Sequence, residues 1–306
     1  MDFTELVLKA RPHIKENSAQ AYARSLKLLA PEGSTSLGFL RDTKTIIEKL
    51  DKYKNTTRRN YLNAVIVALK GVDGSFLALK EYEKLRDQYN DEYAEQVGTH
   101  QKTQRQKEIW IEWPEYLQIV SKLRAEVSEF KPGSWTPKQK QGYQDYLITL
   151  LYSHYPLRND FADTRVISKT EYNALTEEQK KQANFVVKHS TNKYFLVLNE
   201  YKTSKKYGEK KIEIGDELLK PLRKWIRHSG SEYLLVNTKG KPLSSNGITK
   251  ALNRIGMRFR GKPFGSSILR HSYLSHKYGG VNEQKAKDAE VMGHSLQTQS
   301  DYVKKG

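Results

Sequence analysis

Three residues near the C-terminal end of the sequence have the chemistry of phosphoryl transfer. Ile268-Leu269-Arg270-His271-Ser272-Tyr273 is followed by Val291-Met292-Gly293-His294-Ser295 and then by Tyr302. A guanidinium stays protonated at neutral pH and offers forked donors that match two phosphate oxygens. An imidazole can hydrogen-bond a further oxygen. A phenol beside them can attack phosphorus and hold it covalently, keeping the phosphodiester's bond energy for a second transfer. Negative charge grows on the non-bridging oxygens during attack. The rest of the chain must therefore supply a second arginine, and a proton donor for the leaving oxygen.

The elements that must position these groups are mostly helices. Residues 1 to about 90 are helical in pattern. Ala19, Tyr22, Leu26 and Leu29 recur at helix spacing after Asn17-Ser18, a candidate N-cap. Pro31-Glu32-Gly33-Ser34 breaks that helix, and Phe39 to Leu50 forms another. Asn55-Thr56-Thr57 precedes Tyr61, Leu62, Val65 and Leu69, an amphipathic helix ending at Gly71. A fourth helix is expected from Ser75 to about Gln96. Val97 to Glu108 is polar and carries Lys102, Arg105 and Lys107, as a basic linker does. Trp110, Ile111, Trp113 and Pro114 begin a second packed region, with helices over 114–128 and 138–155. Phe185–Lys188, Tyr194–Asn199 and Lys210–Ile214 are β-forming and predict a small antiparallel sheet, with Thr203–Glu209 as a turn. Helical patterning returns over 215–228, 244–260, 266–278 and 282–292. Gly293 is then the C-cap that sets the position of His294. The expected fold is mainly α with a small antiparallel β-sheet. Its divisions are a helical domain over 1–96, a basic linker over 97–109 and a mixed α/β domain over 110–306.

Composition narrows the partner. The 306 residues include 53 Lys and Arg against 35 Asp and Glu, a net charge of +18, which favours a polyanion and first of all nucleic acid. There is no cysteine, so disulfides, thiolate metal sites and cysteine nucleophiles are excluded. His271 and His276 are five positions apart, too far round a helix to share a metal, and neither metal nor cofactor is called for. The acidic start Met1-Asp2-Phe3-Thr4-Glu5 lacks an apolar signal core, and runs such as Ala64–Leu69 are too short to span a bilayer. A soluble intracellular protein is expected, in the nucleus or the cytoplasm, wherever its DNA resides.

Arg158, Lys202, Arg270, His294 and Tyr302 together resemble, in order and approximate spacing, the tyrosine recombinases, or phage-type integrases. Ser267-Ile268-Leu269-Arg270-His271-Ser272 is similar to that family's His-x-x-Arg-His helix, and Met292-Gly293-His294-Ser295 to its Leu-Gly-His-Ser step. Tyr302 stands eight residues past His294, where the family places its nucleophile. Tyr201-Lys202-Thr203, before a turn, resembles its hairpin lysine. The resemblance implies a helical core-binding domain, a basic linker and a mixed α/β catalytic domain. It also implies the roles. Arg158 and Arg270 hold the phosphate, His294 assists, Tyr302 attacks to give a 3′-phosphotyrosyl link, and Lys202 protonates the leaving 5′-oxygen. Lys205 and Lys206 share the turn with Lys202.

Two positions depart from the family pattern. Ser267 stands where the first His of His-x-x-Arg is usual; its hydroxyl can still bond a phosphate oxygen. The acid usual three positions after the first arginine is Phe161 here, leaving Asp160 or Asp163 to orient the arginine. Lys54, Arg58, Arg59, Lys102, Arg105, Lys107 and Lys241 are candidates for phosphate contacts that position duplex DNA without reading it. The function implied is a site-specific recombinase or integrase acting on double-stranded DNA as a dimer on a site and a tetramer in synapsis. Type IB topoisomerases share this chemistry, and a non-catalytic DNA-binding derivative is the other alternative. The Lys-, Asn- and Tyr-rich composition fits an AT-rich genome such as that of a virus or mobile element.

Overall fold

The computed structural model describes residues 2–34, 36–72, 74–99, 101–131 and 133–292. The chain divides into two compact units, Met1–Lys102 and Thr103–Gly306.

The first unit is helical. Its elements are α1 (Phe3–Ala10), α2 (Glu16–Leu29), a 3-10 turn over Gly38–Arg41, α3 (Thr43–Asp51), α4 (Asn55–Leu69) and α5 (Phe76–Gly98). Asp2 and Asp42 cap α1 and α3 by accepting from the amides of Thr4 and Thr45. The cap of α2 is Lys15, not Asn17 or Ser18, and α1 goes beyond the four expected helices. Helix α4 is the centre, with Leu62 and Ala64 to Leu69 all buried. It ends where expected because Gly71 runs close to α1. A Cβ at that position would sit 3.2 Å from the Ala10 Cβ. Tyr82 of α5 is fully buried and donates to the Leu40 carbonyl at 2.9 Å, closing the unit over the 3-10 turn.

The second unit begins with α6 (Gln104–Ile109), so the segment read as a linker contains a capped helical turn and a half. There follow α7 (Trp113–Ser128), α8 (Pro137–His154), β1 (Arg165–Ser168), α9 (Lys169–Ala174), α10 (Glu177–Lys181), β2 (Phe185–Ser190) and β3 (Lys193–Leu198). The chain continues with α11 (Ser204–Tyr207), β4 (Lys210–Glu213), α12 (Asp216–Ser229), α13 (Ser245–Arg260) and α14 (Ser266–Val291). Helix α8 starts at a Thr136/Gln139 capping box and is buried without a break from Tyr143 to Tyr152. Helices α7, α12 and α13 pack around it.

The sheet order is β1-β2-β3-β4. The β2–β3 and β3–β4 pairs are antiparallel, as expected. The β1 strand, not anticipated, adds in parallel to β2, so the sheet is mixed rather than purely antiparallel. Alternation gives it two covered faces. Val186, Leu196 and Leu198 join the main core around α8, while Phe185, Val187 and Val197 meet Ile167, Tyr172 of α9 and Leu175 just after it.

Helix α14 runs unbroken through Gly279 and Gly280, where two separate helices were expected. It is held at its start. Gly256 of α13 lies so close to the following turn that a Cβ there would be 2.6 Å from the Lys262 carbonyl oxygen. That contact and buried Phe264, Ile268 and Leu269 fix the first turns of α14 against the core.

Candidate active site

The site is built from three pieces of chain: the loop after α8, the first turns of α14, and the β3–β4 connection. Tyr155 and Pro156 end α8, because a proline disfavours helical backbone in the residue before it. The loop that follows carries Arg158, Asn159 and Asp160, and it is anchored at several points. The Tyr152 hydroxyl lies 2.9 Å from the Arg158 carbonyl and 3.0 Å from the Asn159 Oδ1. The Asn159 amide donates to the carbonyl and hydroxyl of Ser245 at 2.9 and 3.1 Å and to the Thr249 hydroxyl at 2.9 Å, tying the loop to the start of α13. The Asp160 carbonyl accepts from Asn184 Nδ2 at 2.9 Å.

Arg270 stands one turn into α14, half-buried, facing this loop. Burial lowers its proton affinity, and the neighbouring charge of Arg158 lowers it further; Asp160 and Tyr152 oppose both. Its Nη1 is buried with no hydrogen-bond partner among the described residues. Arg158 is exposed. Two guanidiniums are thus close enough to interact, and one of them carries a buried donor without a partner among the described residues. An unpaired buried donor is costly, and a phosphate oxygen is the natural acceptor for a guanidinium.

Asp160 is a carboxylate whose charge interacts with both Arg158 and Arg270. Burial raises the Asp160 pKa, while Arg158, Arg270 and Lys210 pull it back down. Asp163 is exposed at a left-handed turn, φ 53°, with its amide donating to the Leu243 carbonyl. Ser267 is exposed in the first turn of α14. Its neighbour Ser266 hydrogen-bonds Tyr152, whose phenol is pushed well above its usual pKa by burial. The Tyr152 hydroxyl supports the loop through its contacts with Arg158 and Asn159.

Lys202 follows buried Tyr201 and is exposed, with no side-chain partner among the described residues; Lys205 and Lys206 follow on the short helix α11. Lys210 opens β4 and lies over the Tyr201 ring, 4.7 Å from its centroid. His294 and Tyr302 lie outside the described residues, as does Gly293; helix α14 is capped at Met292.

Asn184 was not singled out from the sequence. It is buried at the entrance to β2 and makes four hydrogen bonds. Its Oδ1 accepts from the amides of Asn199 and Glu200 at 2.9 and 2.8 Å, and its Nδ2 donates to the carbonyls of Asp160 and Glu200 at 2.9 Å each. Tyr152 and Asn159 were likewise missed. Buried tyrosines and loop asparagines are common, and nothing in their spacing marks them.

The DNA-contact candidates divide. Arg58 is fully engaged within the first unit. Its guanidinium donates to the carbonyls of Leu50, Tyr53 and Asp51 and to the Tyr89 hydroxyl, closing the end of α3. Arg59 donates to Asn90 Oδ1 at 2.8 Å and stacks on Tyr93. These two arginines hold α4 to its neighbours within the first unit. Lys54, Arg105, Lys107 and Lys241 are exposed, with no side-chain partner among the described residues, and Lys102 has an interaction within the chain.

Residues 181–304 match the model of the phage integrase family. No curated protein matches the chain. Among solved structures, the crystal structure of the XerH site-specific recombinase bound to difH substrate, a pre-cleavage complex, is similar. It is 13% identical, covers 99% of this chain and 92% of its own, and has a TM-score of 0.37. No helix among the described residues is long and apolar enough to cross a membrane.

Proposed function

We propose that the chain, whose residues 181–304 match the phage integrase family model, is a site-specific recombinase that cuts and rejoins DNA, and that its five reacting groups are Arg158, Lys202, Arg270, His294 and Tyr302. The Tyr302 phenol oxygen forms a bond to phosphorus as the bond from phosphorus to the 5′-oxygen breaks. The phenolic proton leaves to solvent, and the Lys202 ammonium gives a proton to the departing 5′-oxygen. Arg158 and Arg270 hold the non-bridging oxygens where charge develops, with the charge of Asp160, which interacts with both, helping to orient them, and His294 adds a further hydrogen bond. Ser267 offers a hydroxyl at the same end of α14. Rejoining reverses the steps with a new 5′-hydroxyl, so neither ATP nor metal enters the balance.

The observation that carries this reading is the buried, unpartnered Nη1 of Arg270 beside the charge of Arg158. The helical region over 1–96 and the basic stretch over 97–109 serve as the grip on duplex DNA, with the enzyme acting as a dimer on each site and a tetramer in synapsis. To test it, the protein is incubated with a pool of nicked duplexes of random sequence, and DNA that stays protein-linked after denaturation is recovered and sequenced. A covalent adduct is expected, resistant to EDTA, and the recovered sequence identifies the site. Tyr302→Phe is expected to abolish it. An adduct that persists in that variant removes Tyr302 from the mechanism.

A further inference from the structure

We propose that Asn184 is a positioning residue that sets the proton-donating lysine turn against the phosphate clamp. This rests on the reading of Lys202 as the acid. The residue is 6% exposed and its side chain has all four of its hydrogen-bonding positions filled. Two backbone amides approach one end and two carbonyls the other, so the orientation of the side-chain amide follows from its partners. One of those carbonyls belongs to Asp160 in the arginine loop. The other three partners lie in Asn199 and Glu200, immediately before Tyr201 and Lys202. A single side chain therefore spans the two halves of the site.

The two halves depend on it unequally. The arginine loop keeps the Tyr152 hydroxyl and the three Asn159 bonds to α13 if Asn184 is lost. The Asn199 and Glu200 amides have no other hydrogen bond among the described residues. Removing Asn184 therefore displaces Lys202 more than Arg158. A displaced acid slows only reactions whose leaving group needs its proton, and misplacement by about 1 Å can cost about 100-fold. In that step the Lys202 ammonium transfers its proton to the 5′-oxygen as the phosphorus–oxygen bond breaks. The neutral amine then recovers a proton from the 5′-hydroxyl that attacks on rejoining.

The experiment uses the full chain and the duplex recovered with the wild-type protein. The duplex is made in two forms, with oxygen or with sulfur as the 5′-bridging atom at the scissile phosphate. A thiolate departs without needing a proton. Single-turnover cleavage by Asn184→Ala is expected to fall about 10- to 100-fold on the oxygen duplex. On the sulfur duplex it should stay within about threefold of wild type, with DNA affinity similarly unchanged, a split that general loss of structure does not produce. Asn184→Asp keeps the acceptor for the two amides and should recover some of the oxygen-duplex rate. It also carries the test if Asn184→Ala does not fold, as judged by thermal melting. Lys202→Ala is run beside them. Sulfur rescue of Lys202→Ala without rescue of the Asn184 variants overturns the role of Asn184 and leaves the acid in place. Failure of sulfur to rescue Lys202→Ala removes Lys202 as the acid and overturns the proposal with it.

Discussion

Arg270 and Asp160 are held in opposition, and the opposition is informative. Burial works against both charges, lowering the arginine's pKa and raising the acid's. A folded-state pKa raised above its unfolded value means that the folded state binds the Asp160 proton more tightly. Stability from this group is thus present at low pH and is lost as pH rises from about 3.8 through the folded pKa. Asp160→Asn removes that loss. Its melting temperature is expected to exceed that of wild type, with the gap opening as pH rises above 3.8 and staying open at neutrality. Cleavage should nevertheless fall, by about 10-fold, because the arginines lose the charge that orients them. The same substitution raising stability and lowering activity is what a functional carboxylate predicts. A purely structural ion pair would lose stability instead. Arg270→Ala removes a donor to the developing charge and should cost about 100- to 1,000-fold in cleavage rate.

Elements with a clear period were legible in the sequence, and those defined by tertiary contacts were not. Helices α7, α8, α12 and α13 and the strands β2 to β4 fall within about two residues of their expected bounds, because alternation and helical spacing mark them locally. Four-residue β1 is too short to show alternation and exists because β2 pairs with it. Asn184 carries no periodic signal; its value lies in partners far along the chain. Of the candidate site, the sequence could single out Arg158 and Arg270, but the interaction of Asp160 with both of them shows only in the folded loop. Helix α14 is the instructive case. Its glycine pair predicts a break, yet the helix is continuous, and a Cβ at Gly279 or Gly280 would meet nothing within 4 Å. No close packing requires glycine there. A continuous helix separates Arg270 from Val291 by about 32 Å along its axis. Uniting Arg270 and His294 in one chain requires α14 to bend, and the weakest point is Gly279–Gly280. Alanine at both positions should favour the straight helix by about 2 kcal/mol in sum. That corresponds to a cleavage loss of about 30-fold with DNA affinity unchanged. Mixing Tyr302→Phe with Arg270→Ala protein should restore nothing; restored cleavage would mean that a second copy supplies the tyrosine and that α14 need not bend.

At the scale of the whole molecule, the net charge of +18 predicts strong attraction to DNA but does not say which cations touch it. The structure separates two populations. Arg58 closes the end of α3 on three carbonyls, whereas Lys54, Arg105, Lys107 and Lys241 project without side-chain partners among the described residues. Each cation that neutralises a phosphate releases a counterion and contributes about 0.9 to the slope of log affinity against log salt. If those four make contact, raising salt from about 50 to 200 mM should weaken binding about 150-fold through them alone. Replacing any one with alanine should lower the slope by about one, in binding titrations at a series of salt concentrations. Arg58→Ala should behave oppositely. It deprives three carbonyls, two of them in part-buried bonds, of a charged donor, so unfolding free energy should fall by about 2 kcal/mol while the salt slope stays at its wild-type value. A reduced slope with unchanged stability in that variant would place Arg58 on the DNA after all, and the division drawn from its hydrogen bonds would be wrong.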